Sequence, residues 1–113
     1  MPRFETLTEF DFYCTLARAG GASLVLFGGP GCSACRRAEL LLPQALDGAV
    51  AHLFKVDVQQ STALAREYEV FHLPALFLFV DGHYHAPVPS ALTRSALRQA
   101  VAAALQSPSQ EAP

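Results

Sequence analysis

The sequence has no strong charge of either sign: Lys and Arg number 8 against 10 Asp and Glu, for a net charge of −2. Without a basic patch or stripe there is no electrostatic support for nucleic acid or an anionic membrane surface as partner. Long apolar runs are absent too. Stretches such as Ala75 to Val80 fall far short of the ~20 residues a helix needs to cross a bilayer. The N-terminus, Met1-Pro2-Arg3-Phe4-Glu5, alternates charged and apolar residues and does not lead into a secretory h-region, so a cytoplasmic location is expected. Cysteines are few: Cys14, Cys32 and Cys35. An odd, small set excludes a structural disulfide framework and leaves one close pair and one lone thiol. No internal repeat is present.

What is there suffices for a core. Of 113 residues, 51% are hydrophobic and 16% charged, the balance of one globular domain and not of a disordered chain. Phe4 to Thr6 reads as a short edge strand. Leu7, Phe10, Tyr13, Cys14 and Ala17 recur at helical spacing, which predicts a helix over residues 8–19 with Cys14 on its apolar face. Thr6 and Glu9 resemble a capping box, and Gly20-Gly21 would stop the helix. Ser23 to Phe27 is a continuous apolar run suited to a strand buried on both faces. A glycine-rich loop, Gly28-Gly29-Pro30-Gly31, precedes a helix from Ser33 to about Leu46, kinked at Pro43.

Further strands are expected at Leu53 to Val58 and Ala75 to Val80, with a short helix at Ser61 to Glu69 between them. Asp81-Gly82 signals a hairpin returning through His83 to Val88, an edge strand because of Pro87 and Pro89. Thr93 caps a last helix whose stripe is Leu97, Ala100, Val101, Ala104 and Leu105. Residues 1–106 would form the domain, and 107–113 a disordered polar tail. The order β-α-β-α-β-α-β-β-α implies an α/β fold with a central mixed sheet and helices on both faces.

Cys32 and Cys35 fall where a buried strand ends, a glycine loop turns and a helix begins. The first turn of a helix carries unpaired N–H groups and partial positive charge, which stabilise a thiolate. Cys32 would be the exposed nucleophile. Cys35, at i+3, shares its helix face and would lie deeper. Such a pair can form and resolve a mixed disulfide, and Arg36 and Arg37 add nearby positive charge.

This arrangement resembles the thioredoxin family over nearly the whole chain. The matching features are the element order, the C-x-x-C after the strand Ser23 to Phe27, Lys55 within Phe54-Lys55-Val56-Asp57-Val58, and the segment Tyr68 to Pro74 before a strand and an Asp-Gly turn. The resemblance implies a thioredoxin-like fold and thiol–disulfide oxidoreductase activity, with Cys32 and Cys35 as the catalytic pair. It implies a cis bond before Pro74, facing the cysteines. Gly31, His72, Leu73 and Pro74 would form the substrate surface, and Lys55 and Arg36 would modulate the thiols. No organic cofactor is implied. The expected partners are a protein disulfide and an upstream thiol donor, and the expected state is a monomer or weak dimer.

The chain departs from the family pattern in four places. Gly31 replaces a tryptophan, Ser33-Ala34 replaces Gly-Pro, and the sequence has no tryptophan at all. Leu26 stands where the family has a buried aspartate that assists the resolving thiol, so slower turnover is expected. Lys55, lacking that acidic neighbour, would favour a Cys35 thiolate if its amine points inward. Leu40 occupies the place of the family's kink proline, with Pro43 three residues later. Ser90 replaces a groove glycine, implying a narrower set of partners.

Other readings stay open. Cys32 and Cys35 could be half a zinc site completed by His83 and His85, or by His72 with another residue, although no second short-spaced ligand pair exists. The pair could be a relic on a non-enzymatic interaction or chaperone-like module. Cys14 reads as a small buried hydrophobe. His72 could be an ordinary loop residue, Arg36 and Arg37 the solvated side of a helix, and Lys55 a strand lysine reaching water.

Overall fold

Apolar residues at every position of Leu24 to Phe27 leave neither face of that strand suited to water, and the fold places it at the centre of the sheet. In the computed structural model, which describes residues 1–113, the elements in order are β1 (Phe4–Leu7), α1 (Phe12–Arg18), β2 (Ala22–Gly28), α2 (Ser33–Ala45), β3 (His52–Asp57), α3 (Thr62–Glu67), β4 (Ala75–Val80), β5 (His83–Pro87) and α4 (Arg94–Gln106). The sheet order is β1-β3-β2-β4-β5. β1, β3 and β2 run parallel, while β4 is antiparallel to β2 and β5 to β4. The expected α/β architecture with a mixed sheet is what forms.

Strand alternation divides the core in two. Leu24, Leu26, Leu53, Leu76 and Leu78 point to one face, where Ala38, Leu42 and Ala45 of α2 and Leu97 and Val101 of α4 cover them. Val25, Phe27, Phe54, Val56, Phe77 and Phe79 point to the other, against Phe12 and Leu16 of α1, Leu64 of α3, and Tyr68. Period two puts Lys55 and Asp57 on the α2 face with Leu53.

α1 differs from expectation. The Asp11 carboxylate accepts the Thr8 backbone N–H at 2.7 Å, forming a turn over Thr8 to Asp11 in place of the Thr6–Glu9 box. The helix therefore begins at Phe12, and its buried stripe is Phe12, Leu16 and Ala19. Phe10 is 91% exposed, and Cys14 is exposed instead of buried. The apolar spacing through Phe10, Tyr13 and Cys14 counted a face that the turn rotates toward solvent.

Other boundaries follow the local signals closely. Gly82 has φ +83°, and a Cβ there would stand 2.7 Å from the Leu16 carbonyl oxygen. Glycine is thus required both by the Asp81-Gly82 turn and by the approach of α1. Thr93 Oγ1 accepts the Ala96 N–H at 3.2 Å, capping α4 as the sequence implies. Pro43 lies within α2. It lacks the N–H that would otherwise bond the Glu39 carbonyl. Beyond α4 the tail turns back to the edge strand β5, where Gln110 N–H donates to the His85 carbonyl at 2.7 Å.

Candidate functional site

The carboxyl end of β2 supplies the platform. Gly28, its last residue, has no room for a side chain: a Cβ there would meet Cys35 Cβ and Sγ at 3.2 Å. The chain then turns through Gly29, Pro30 and Gly31, the last at φ +74° and open to solvent. Cys32 is the N-cap of α2, in extended conformation, and its Sγ accepts the Cys35 N–H at 3.1 Å. The nucleophile position therefore sits against an otherwise unpaired helix N–H.

Cys32 and Cys35 form a disulfide, with Cα atoms 5.2 Å apart. Cys35 is 5% exposed, and Cys32 is half-buried. Full exposure was expected for Cys32. No three His, Cys, Asp or Glu side chains converge as a metal-holding group. Of the histidines weighed as zinc ligands, His85 directs Nε2 to the Ala104 carbonyl oxygen at 2.6 Å.

The Leu73–Pro74 bond is cis, as the resemblance implied. Leu73 bridges this bend and the cysteine loop: a Cβ at Gly29 would lie 3.5 Å from Leu73 Cδ1. Leu73 is 37% exposed and Phe71 83%. An apolar groove of about 530 Å³ runs beside the bend, between Val70, His72 and Pro74 on one side and Val88, Ser90 and Leu92 on the other. His72 lies exposed at its rim.

Lys55, Arg36 and Cys35 come together elsewhere, on the α2 side of the sheet. They line a cavity of about 210 Å³ with Thr6, Glu39, Asp57 and Gln60. Leu26, the cross-strand neighbour of Lys55, forms part of its apolar wall. Lys55 has the apolar Leu26 where an acidic strand neighbour would stand, but it meets another carboxylate: Lys55 Nζ lies 3.4 Å from Glu39 Oε1. The sequence reading overlooked Glu39. Its only sequence signal is the i+4 spacing from Cys35, which puts both on one face of α2. Arg36 and Arg37 are exposed, and Arg37 Nε donates to the Leu92 carbonyl at 3.3 Å.

The arrangement can do sulfur chemistry. It holds a half-buried entry point for a second sulfur at Cys32, a shielded partner at Cys35, and a bend at Leu73 and Pro74 that leads into β4. A family model described as Thioredoxin matches residues 3–103. Among solved structures, the zinc-bound form of human ERp44 superposes with a TM-score of 0.75 at 19% identity, over 89% of this chain and 31% of that protein. The chain thus spans less than a third of that protein's length, and at this identity the likeness is one of fold.

Proposed function

This chain belongs to the thioredoxin family, and from that premise we propose that it exchanges thiols and disulfides with protein substrates through Cys32 and Cys35. The observation that carries the proposal is the disulfide between a half-buried helix N-cap sulfur and a buried sulfur one turn on. In the reduced protein the helix N-terminus stabilises a Cys32 thiolate. That thiolate attacks one sulfur of a substrate disulfide, and the other substrate sulfur leaves as a thiolate and is protonated. Cys35 then loses its proton and attacks Cys32 Sγ, which breaks the mixed disulfide and releases the second substrate thiol.

The net result is transfer of two electrons and two protons from the dithiol to the substrate. An upstream thiol donor restores the dithiol. The sulfur pair carries the electrons, so no organic cofactor enters. Leu73 and Pro74 offer backbone to an extended substrate segment in the manner of an added strand, with Gly31 and His72 at the margins of that surface.

The test is covalent trapping. Because Cys14 is an exposed thiol, the background carries Cys14→Ser. Reduced Cys35→Ser protein mixed with an oxidised protein such as insulin should accumulate a mixed disulfide through Cys32, and Cys32→Ser should accumulate none. Absence of any adduct from Cys35→Ser overturns the proposal. Retention of a partner by the Cys32→Ser/Cys35→Ser protein, again without an adduct in Cys35→Ser, would instead assign the fold to an interaction module.

A further inference from the structure

Cys35 has to give up a proton during resolution, and it is only 5% exposed. Burial disfavours its thiolate, so the proton needs a route to water. Gly28 and Leu26 line part of the cavity against Cys35 and offer no acceptor. Besides Cys35, the polar side chains lining that cavity are Thr6, Arg36, Glu39, Lys55, Asp57 and Gln60. Arg36 and Lys55 are cations and accept no proton. One Asp57 carboxylate oxygen already accepts the Gln59 N–H at 2.8 Å, closing the turn after β3. Glu39 stands one helical turn beyond Cys35 on the same face, and its carboxylate is held by Lys55 at 3.4 Å.

Glu39 and Lys55 are each 37% exposed. The pair therefore lines the same cavity as the shielded sulfur while remaining open to bulk solvent. The cavity of about 210 Å³ is ample for a water between carboxylate and thiol. We infer that Glu39, oriented by Lys55, is the proton acceptor for the Cys35 thiol when the mixed disulfide is resolved. This rests on the thiol–disulfide exchange proposed above. Glu39 takes the Cys35 proton through a water. The Cys35 thiolate then attacks Cys32 Sγ, the Cys32–substrate bond breaks, and Glu39 returns the proton to solvent. Lys55 acts as a positioning residue, keeping the carboxylate turned into the cavity. A carboxylate supplied by α2 thus does for the resolving sulfur what the apolar Leu26 on β2 cannot.

The experiment uses the reduced full chain in the Cys14→Ser background and an aromatic disulfide that releases a coloured thiolate. Attack by Cys32 releases the first coloured thiolate, and resolution by Cys35 releases the second, so the two steps are read separately in a stopped-flow instrument. Glu39→Gln should slow the second step by about a hundredfold or more near neutral pH, the lower side of what general-base assistance supplies. The deficit should shrink as pH rises above about 8.5, the value for a free thiol, and close only where solvent base ionises the shielded Cys35 thiol unaided. The first step should be unchanged, and Glu39→Asp should recover part of the loss.

A second step in Glu39→Gln equal to the parent at every pH overturns the inference. So does an equal slowing of both steps, which would mark a structural role, or loss of the second step in Asp57→Asn while Glu39→Gln retains it. Failure of the parent to release even the first thiolate would refute the exchange reading itself. A parent with both steps intact and no Glu39 effect would refute only the acceptor assignment.

Discussion

At the scale of single residues, the site depends on atoms that are missing as much as on those present. Gly28 leaves space for the Cys35 sulfur, and Gly82 leaves space for the end of α1. On the opposite face of the sheet, burial, with Glu67 and Tyr84 nearby, pushes Tyr68 up to about 12 from the ordinary 10.0. Burial also raises Tyr84. Between those two values the folded protein keeps the Tyr68 proton and the unfolded chain has lost it. Stability is therefore intact below pH 10.0 and declines as pH rises toward about 12. Tyr68→Phe should flatten part of that decline in urea unfolding measured across the window. An unaltered pH dependence in the variant would contradict the assignment.

At the scale of elements, α1 shows how one local bond redirects a whole face. Once Asp11 takes the Thr8 N–H, the helix starts at Phe12 and turns Phe12 and Leu16 inward. Phe12 meets Phe27, Tyr68 and Phe79 at ring-centroid distances of 6.4, 5.6 and 5.9 Å. Phe12→Ala should cost about 3–5 kcal/mol in chemical denaturation. Phe10→Ala, two residues earlier and exposed, should change stability by no more than about 0.5 kcal/mol. The reverse order of these two effects would mean that the helix presents the other face. Along the chain, the same count of three and four fits both faces. Only the turn before the helix selects between them.

At the scale of the whole molecule, both cores are closed by α1 to α4, and the tail covers neither. Residues 107–113 are exposed throughout, and the Gln110–His85 bond attaches them to an edge. Truncation after Ser107 should therefore shift the unfolding free energy by less than about 1 kcal/mol. A loss of several kcal/mol would place the tail within the domain. The five-stranded sheet order also places the two candidate surfaces apart. The cis-proline groove opens beside β4 and β5, while the Glu39–Lys55 cavity opens between α2 and β3.

The sequence by itself determined the element order, the central strand, the hairpin, the α4 cap and the cysteine pair at a helix start. Each is written in contiguous residues: an apolar run, an Asp-Gly dipeptide, a threonine before a periodic stripe, a C-x-x-C after glycines. The folded structure decided what apolar spacing left open: which side of α1 is buried, that Cys14 faces solvent, and that Lys55 meets Glu39. Those outcomes depend on a turn's hydrogen bond and on the register between a strand and a helix far apart in the chain. Local spacing carries no record of either, because a side chain's partner across a sheet-to-helix interface is chosen by packing.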